Sequence, residues 1–146
     1  MRIVGEWQAG EDGARRPVIK AQVQGADDVL RADEFLVDSG ADRTVLSPHL
    51  LKELDFPINM VSEGSILQGI GGVGESVVVK TVVVLTRDDG GEVYLRGEFA
   101  AFTDPSATDL SILGRDVLNH FDLILSRRRN EVLLLAPNHQ YRIEQI

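Results

Sequence analysis

The sequence predicts an all-β protein, a small closed or partly closed β-barrel carrying one or two short helices. Three observations lead there. Many short apolar or alternating runs are bounded by turn residues, helix start signals are few, and aromatic residues make up only 5% of the chain.

Arg2 to Trp7 and Pro17 to Gln24 alternate or run apolar, and the loop between them is charged and contains Gly10 and Gly13. Together they predict an opening hairpin. Glu34 to Val37 is a short apolar strand that runs into Asp38. Ser47-Pro48 then offers an N-cap and a proline at the first helical position, predicting a short helix over about Pro48 to Leu54. Ser65 to Gln68 and Ser76 to Thr86 flank GIGGVG, residues 69 to 74, whose glycines permit the positive φ angles of a hairpin tip. RDDGGEVYL makes a second hairpin. Ser111 to Leu113 reads as a strand stopped by Gly114, Arg115 to His120 as a short helix, and Leu123 to Ser126 with Val132 to Ala136 as a last hairpin.

With 146 residues the chain is expected to form one domain, residues 1–146, with a real core. The formal charge of −8 disfavours nucleic acid as a partner, and the one basic run, Arg127-Arg128-Arg129, reads as a solvated turn. No stretch is long enough to span a bilayer, and no signal peptide is evident, so no membrane partner is expected. The absence of cysteine excludes a disulfide framework and a thiolate metal site, nothing points to secretion, and a cytoplasmic location is the default expectation. His49, His120 and His139 lack metal-ligand spacing, and neither a metal nor another cofactor is expected.

FLVDSGADRTVLS, residues 35 to 47, is where chemistry enters. A carboxylate carried inward by an apolar strand is expensive unless it is hydrogen-bonded, protonated or used. Asp, Ser and Gly are also ordinary turn formers, so the triplet by itself reads equally as the solvated end of a strand. Two later segments weigh against that plain reading: LQGIGGVGES in the middle of the chain and SILGRDVLNHFDLIL near its end. In this order the three segments resemble the retropepsin-like, or retroviral-type, aspartic proteases, over roughly residues 17 to 135.

The resemblance implies the barrel of that family, with a flap over about residues 65–87 and a C-terminal hairpin and tail over about 122–146. It implies an aspartic endopeptidase, a hydrolase acting on peptide or protein substrates, with Asp38, Ser39 and Gly40 as its catalytic triplet. The chemistry is consistent with the residues. Hydrolysis without a metal or a nucleophilic side chain needs one group to take a proton from water and another to give one. Two adjoining carboxyl groups that share a proton do both, as is established for aspartic proteases, because like charges about 3 Å apart do not both ionise. Only one Asp-Ser-Gly is present and no Asp-Thr-Gly, so such an enzyme requires Asp38 from two chains of a homodimer.

The resemblance further implies that Ser39 hydrogen-bonds across the dimer, that the Gly40 amide contacts the carboxylate, and that Ala41 and Asp42 border the substrate. Ala41 lacks the hydroxyl found at this position in some relatives, and activity at mildly acidic to near-neutral pH is the corresponding expectation. Asp42 and Arg115 are implied as a partly buried structural ion pair, for which arginine's planar fork is suited. Ile70, Gly71, Gly72 and Val73 are implied as the substrate-facing part of the flap, closing over an extended peptide. GIGGVG is not a phosphate loop, since no Lys-Ser/Thr follows and no helix begins there. Glu131 to Ala136 or Tyr141 to Ile146 are the candidate dimer strands. The rival reading is a non-catalytic module of the same fold that binds peptide or mediates dimerisation. A two-carboxylate glycosidase has no supporting pattern.

Overall fold

The computed structural model describes residues 1–57, 60–63, 67–69, 72–74 and 76–144. The first apolar stretch is divided at Gly5. Strand β1 (Arg2–Val4) leaves for a sheet at the chain termini, whereas β2 (Glu6–Ala9) forms the expected hairpin with β3 (Arg15–Gln24). A Cβ at Gly5 would lie 2.4 Å from the Val18 carbonyl oxygen and 2.9 Å from the Val132 side chain. Only glycine lets the chain cross there between two sheets.

The chain continues through β4 (Leu30–Val37), β5 (Val45–Leu46), α1 (Pro48–Leu54), β6 (Val61–Glu63), β7 (Leu67–Gly69) and β8 (Gly72–Gly74). It ends with β9 (Ser76–Thr86), β10 (Glu92–Phe102), β11 (Ser111–Leu113), α2 (Arg115–Leu118), β12 (Asp122–Ser126) and β13 (Glu131–Leu135). Eight strands form one sheet in the order β2-β3-β4-β11-β5-β10-β9-β6. A further pairing of β3 with β9, at Gln22↔Val84 and Val23↔Val83, partly closes this sheet on itself. The all-β expectation with two short helices is borne out.

Helix α1 has the bounds its sequence signals indicate. The Ser47 hydroxyl caps it by accepting from the Leu50 N–H at 3.1 Å, Pro48 opens its first turn, and Asp55 ends it with φ 51°. Its buried face is Leu50 and Leu54, one turn apart, against the interior of the sheet. That interior is filled by Ile19, Val23, Phe35, Leu46, Val79, Val83 and Leu85, all essentially inaccessible to solvent. The many β-branched residues suit pleated strands better than helices.

The terminal sheet has the order β1-β13-β12. Ile3, Val132 and Leu134 carry it onto the core. β13 is its middle strand, paired with β1 on one side and β12 on the other, so Glu131 to Ala136 does not offer a free strand edge. Tyr141 to Glu144 belongs to no strand, and residues 145 and 146 lie outside the described part of the chain. No described helix is long and apolar enough to cross a membrane.

Candidate active site

β4 and β11 run parallel and end together, with Val37 opposite Leu113. The next residue, Asp38, donates its N–H to the Leu113 carbonyl at 3.1 Å, so the carboxylate is carried to the lip of the sheet and is half-buried there. Ser39 and Gly40 form an exposed turn, closed by the Ala41 N–H donating to the Asp38 carbonyl at 3.2 Å. The Gly40 N–H donates to Asp38 Oδ1 at 2.9 Å. One carboxylate oxygen is therefore held by the backbone of its own loop. A Cβ on Gly40 would sit 3.2 Å from that same oxygen and press on it.

Behind the turn the loop is anchored by a polar node. Thr44 is fully buried; its hydroxyl donates to Asp116 Oδ1 at 2.7 Å and accepts from the Gly114 N–H at 3.0 Å. Asp116 Oδ1 also accepts from the Thr44 N–H at 2.9 Å and the Val117 N–H at 2.8 Å. The Arg115 N–H donates to the Ala41 carbonyl at 2.9 Å. Gly114 permits this docking, because a Cβ there would fall 2.4 Å from the Arg43 carbonyl group. No buried side-chain polar atom among the described residues lacks a partner, and the bonds at this junction stiffen the loop that carries Asp38.

A second node joins β4, β11 and α1. Asp33 Oδ2 accepts from the Ser111 hydroxyl at 2.7 Å and the Ser47 hydroxyl at 3.2 Å, while the Ser111 oxygen accepts from the Ser47 N–H at 2.9 Å. The strands on either side of Asp38 are tied together through it.

Residues 13–126 match the family model described as retroviral aspartyl protease. The chain belongs to that family. No curated protein sequence matches it. Among solved structures it resembles a retropepsin-like aspartic protease from Rickettsia conorii, with a TM-score of 0.58 at 19% identity over 92% of this chain and 88% of that one. It also resembles the EIAV protease complexed with an inhibitor, with a TM-score of 0.51 at 24% identity over 71% of this chain and 86% of that one. At these identities the two structures speak for the retropepsin fold.

Within this family member, the early and late sequence segments that carried the resemblance do meet, at Ala41, Thr44, Gly114 and Asp116. Asp42 and Arg115 also meet through Oδ1 and Nη2, but their side chains are 82% and 47% exposed, so in the single chain the pair is a surface contact and not a partly buried one. Such a contact contributes about 1 kcal/mol at most. β7 and β8 pair as a glycine-rich hairpin, with Gln68 opposite Val73 and Gly69 opposite Gly72. Ile70 and Gly71 lie outside the described residues; Gly72 and Val73 are placed as backbone in β8. Thr44 and Asp116 lie inside the two segments that carry the resemblance, and Asp33 lies in the strand before the first of them, but none is singled out by sequence as part of the site. The signal at 33, 44 and 116 is a polar residue set within or beside an apolar strand or helix, which does not show which distant partner satisfies it.

Proposed function

We propose that the protein is an aspartic endopeptidase active as a homodimer, in which the Asp38 carboxyl groups of two chains activate a water molecule against a peptide carbonyl. The observation that carries this reading is the presentation of Asp38. Its carboxylate is half-buried at the end of two parallel strands, with one oxygen held by the Gly40 amide and the loop braced from behind by Thr44 and Asp116. A turn that merely reverses the chain needs no such bracing. The ionised Asp38 takes a proton from water as the water oxygen bonds to the carbonyl carbon, and the protonated Asp38 of the other chain gives its proton to the carbonyl oxygen. Collapse of the resulting gem-diol breaks the C–N bond as the amine takes the proton held by the first Asp38, and a diol hydroxyl returns its proton to the second, which restores the singly protonated pair.

The substrate reading is an extended peptide with apolar side chains near the cut. Beside Asp38's strand neighbours lies a small apolar cluster separate from the main core, made of Val45, Ala100 and Phe102 with Ala107 and Ile112 against it. It offers an apolar floor, and the β7–β8 hairpin offers backbone for an added strand. Ser39 in this reading bonds across the dimer, and closure by the hairpin, including Ile70 and Gly71, excludes bulk water.

The test is cleavage of a peptide library by wild type and Asp38→Asn, with specific activity followed on dilution. Wild type is expected to cut and lose specific activity as dimers dissociate, while Asp38→Asn is inert. Equal cutting by the two proteins, or none by a wild type shown to be dimeric, overturns the proposal.

A further inference from the structure

The end of the large sheet that carries Asp38 also gathers arginines. β2 and β3 pair with Trp7 opposite Pro17 and Ala9 opposite Arg15. Opposed residues and residues two apart share a face, so Arg15 and Trp7 project on the same side of this hairpin. Arg127, in the turn between β12 and β13, lies over the Trp7 ring at 5.1 Å from its centroid, and the ring is fixed by Trp7 Nε1 donating to the Glu131 carbonyl at 3.0 Å. The turn is itself held, because the Asn130 N–H donates to the Arg127 carbonyl at 3.2 Å and the Arg129 N–H to the Ser126 hydroxyl oxygen at 3.2 Å. Arg127 and Arg128 are thus presented on a fixed turn and are exposed, as Arg15 is.

Their charges are not cancelled locally. Arg16 pairs with Asp109 at 3.3 Å and Arg129 with Glu131 at 3.6 Å, whereas Arg15, Arg127 and Arg128 meet no carboxylate among the described residues. Asp12 turns Oδ1 back onto the Ala14 N–H at 3.0 Å, Glu6 accepts from the Gln8 side chain at 2.8 Å, and Glu131 also accepts from Tyr141. Glu11 at the loop tip is the acid of these segments left without such a partner. In a chain of formal charge −8, unpaired cations side by side set this ledge apart from the average surface.

The ledge lies near the proposed peptide site. Val18 opposes Leu36 in the β3–β4 pairing, so two residues on, Arg16 is level with Asp38. β2 is the second strand from β4. At about 4.8 Å per strand, the Trp7–Arg127 stack is roughly 10 Å across from Asp38, the span of about three extended residues. We propose that this ledge is an exosite for an acidic stretch of the substrate: a chain cut at Asp38 through apolar residues carries aspartates or glutamates from about three residues beyond the cut, and these meet Arg15, Arg127 and Arg128. This rests on the peptidase reading above and names its substrate class. A short acidic segment is the occupant because it meets the ledge alone, whereas a nucleic acid continues past it over a surface that repels it.

Two peptides with the same apolar cut region test this, one extended at both ends by glutamates and the other by glutamines. The wild type is expected to cut the glutamate peptide with a KM about tenfold lower at similar kcat, since contacts away from the reacting bond act on ground state and transition state alike. Raising the salt from about 0.05 M to about 0.5 M is expected to erase most of the difference. Replacing Arg15, Arg127 and Arg128 together by glutamine is expected to abolish it while leaving the glutamine peptide cut as by wild type. Binding is read separately in Asp38→Asn, where the emission of Trp7, the sole tryptophan, is expected to change saturably on titration with the glutamate peptide, and not when the three arginines are also replaced. A preference that survives high salt or the triple replacement, or no change in Trp7 emission, overturns the exosite. So does an oligonucleotide of equal charge that competes with the glutamate peptide and binds more tightly. Binding of the glutamate peptide through the three arginines with no cleavage by a dimeric wild type overturns the proposed activity alone, and cleavage of both peptides with equal KM overturns the exosite alone.

Discussion

Thr44 is buried, and its hydroxyl stands between the Gly114 amide that donates to it and the Asp116 carboxylate that accepts from it. Valine has nearly the same shape and neither function. Thr44→Val leaves the Gly114 N–H without an acceptor in a buried place, which costs about 1–3 kcal/mol. The expected outcome is a lower urea midpoint at unchanged m-value, with a loss of the proposed peptide hydrolysis larger than the unfolded fraction explains, since the Asp38 loop loses its brace. An unchanged midpoint would show that water or a shifted backbone replaces the hydroxyl. Arg115 presents the opposite case. Its backbone N–H is part of the brace, while its side chain meets Asp42 at the surface, where solvent screens the attraction.

At the scale of elements, the terminal sheet is covered on a face the core does not reach. Val132 and Leu134 point to the core, whereas Leu133 and Leu135 alternate to the other side and are still only 3% and 4% exposed. The segment after β13 is tied along that side. His139 Nε2 lies 2.8 Å from Asp122 Oδ2, and the Tyr141 hydroxyl donates to Glu131 Oε2 at 2.7 Å. Asp122 is the register partner of Leu135, and Glu131 that of Ser126, so the two contacts span the strand pair from end to end. Removing residues 137–146 is expected to uncover both leucines and to lower stability by roughly 2 kcal/mol or more. Urea denaturation measures the loss, and increased binding of a hydrophobic dye to the folded truncated chain reports the uncovered face. A truncated chain as stable as the full one would mean the tail lies off this face.

For the molecule as a whole, acid is the destabilising direction. The Arg2 backbone N–H and then its guanidinium hold Asp88 below its ordinary value of 3.8; the Ser106 N–H and hydroxyl do so for Asp104, and Arg16 for Asp109. A carboxyl that binds its proton less readily when folded than when unfolded adds stability above the unfolded value, and that stability is lost as pH falls through the folded one. These groups therefore contribute fully at neutral pH, and their contribution drains away from about pH 4 downward. Urea midpoints between pH 7 and pH 2 check this: the decline is expected to begin near pH 4 and to be reduced in Asp88→Asn. A decline of the same size in that variant would place the sensitive groups elsewhere.

The helix over Pro48 to Leu54, the long hairpin through RDDGGEVYL and the last hairpin were legible because each is written in contiguous residues: a cap, a turn, an alternation. The same is true of Asp38-Ser39-Gly40, where three neighbouring residues make the turn and place the Gly40 amide on the carboxylate. The division at Gly5 was not legible, because a lone glycine between Arg2 and Trp7 does not say whether a strand bends, bulges or divides, and only the closeness of Val18 and Val132 sends its halves to different sheets. Nor was the exposure of the Asp42–Arg115 contact, since residue type indicates charge and reach but not what lies above them. Local chemistry along the chain determined the elements, the family and the candidate acid. Tertiary structure decided which distant residues satisfy Thr44 and Asp33, and which strand of the terminal sheet lies in its middle, because hydrogen-bond partners across a sheet are chosen by register and packing over the whole chain.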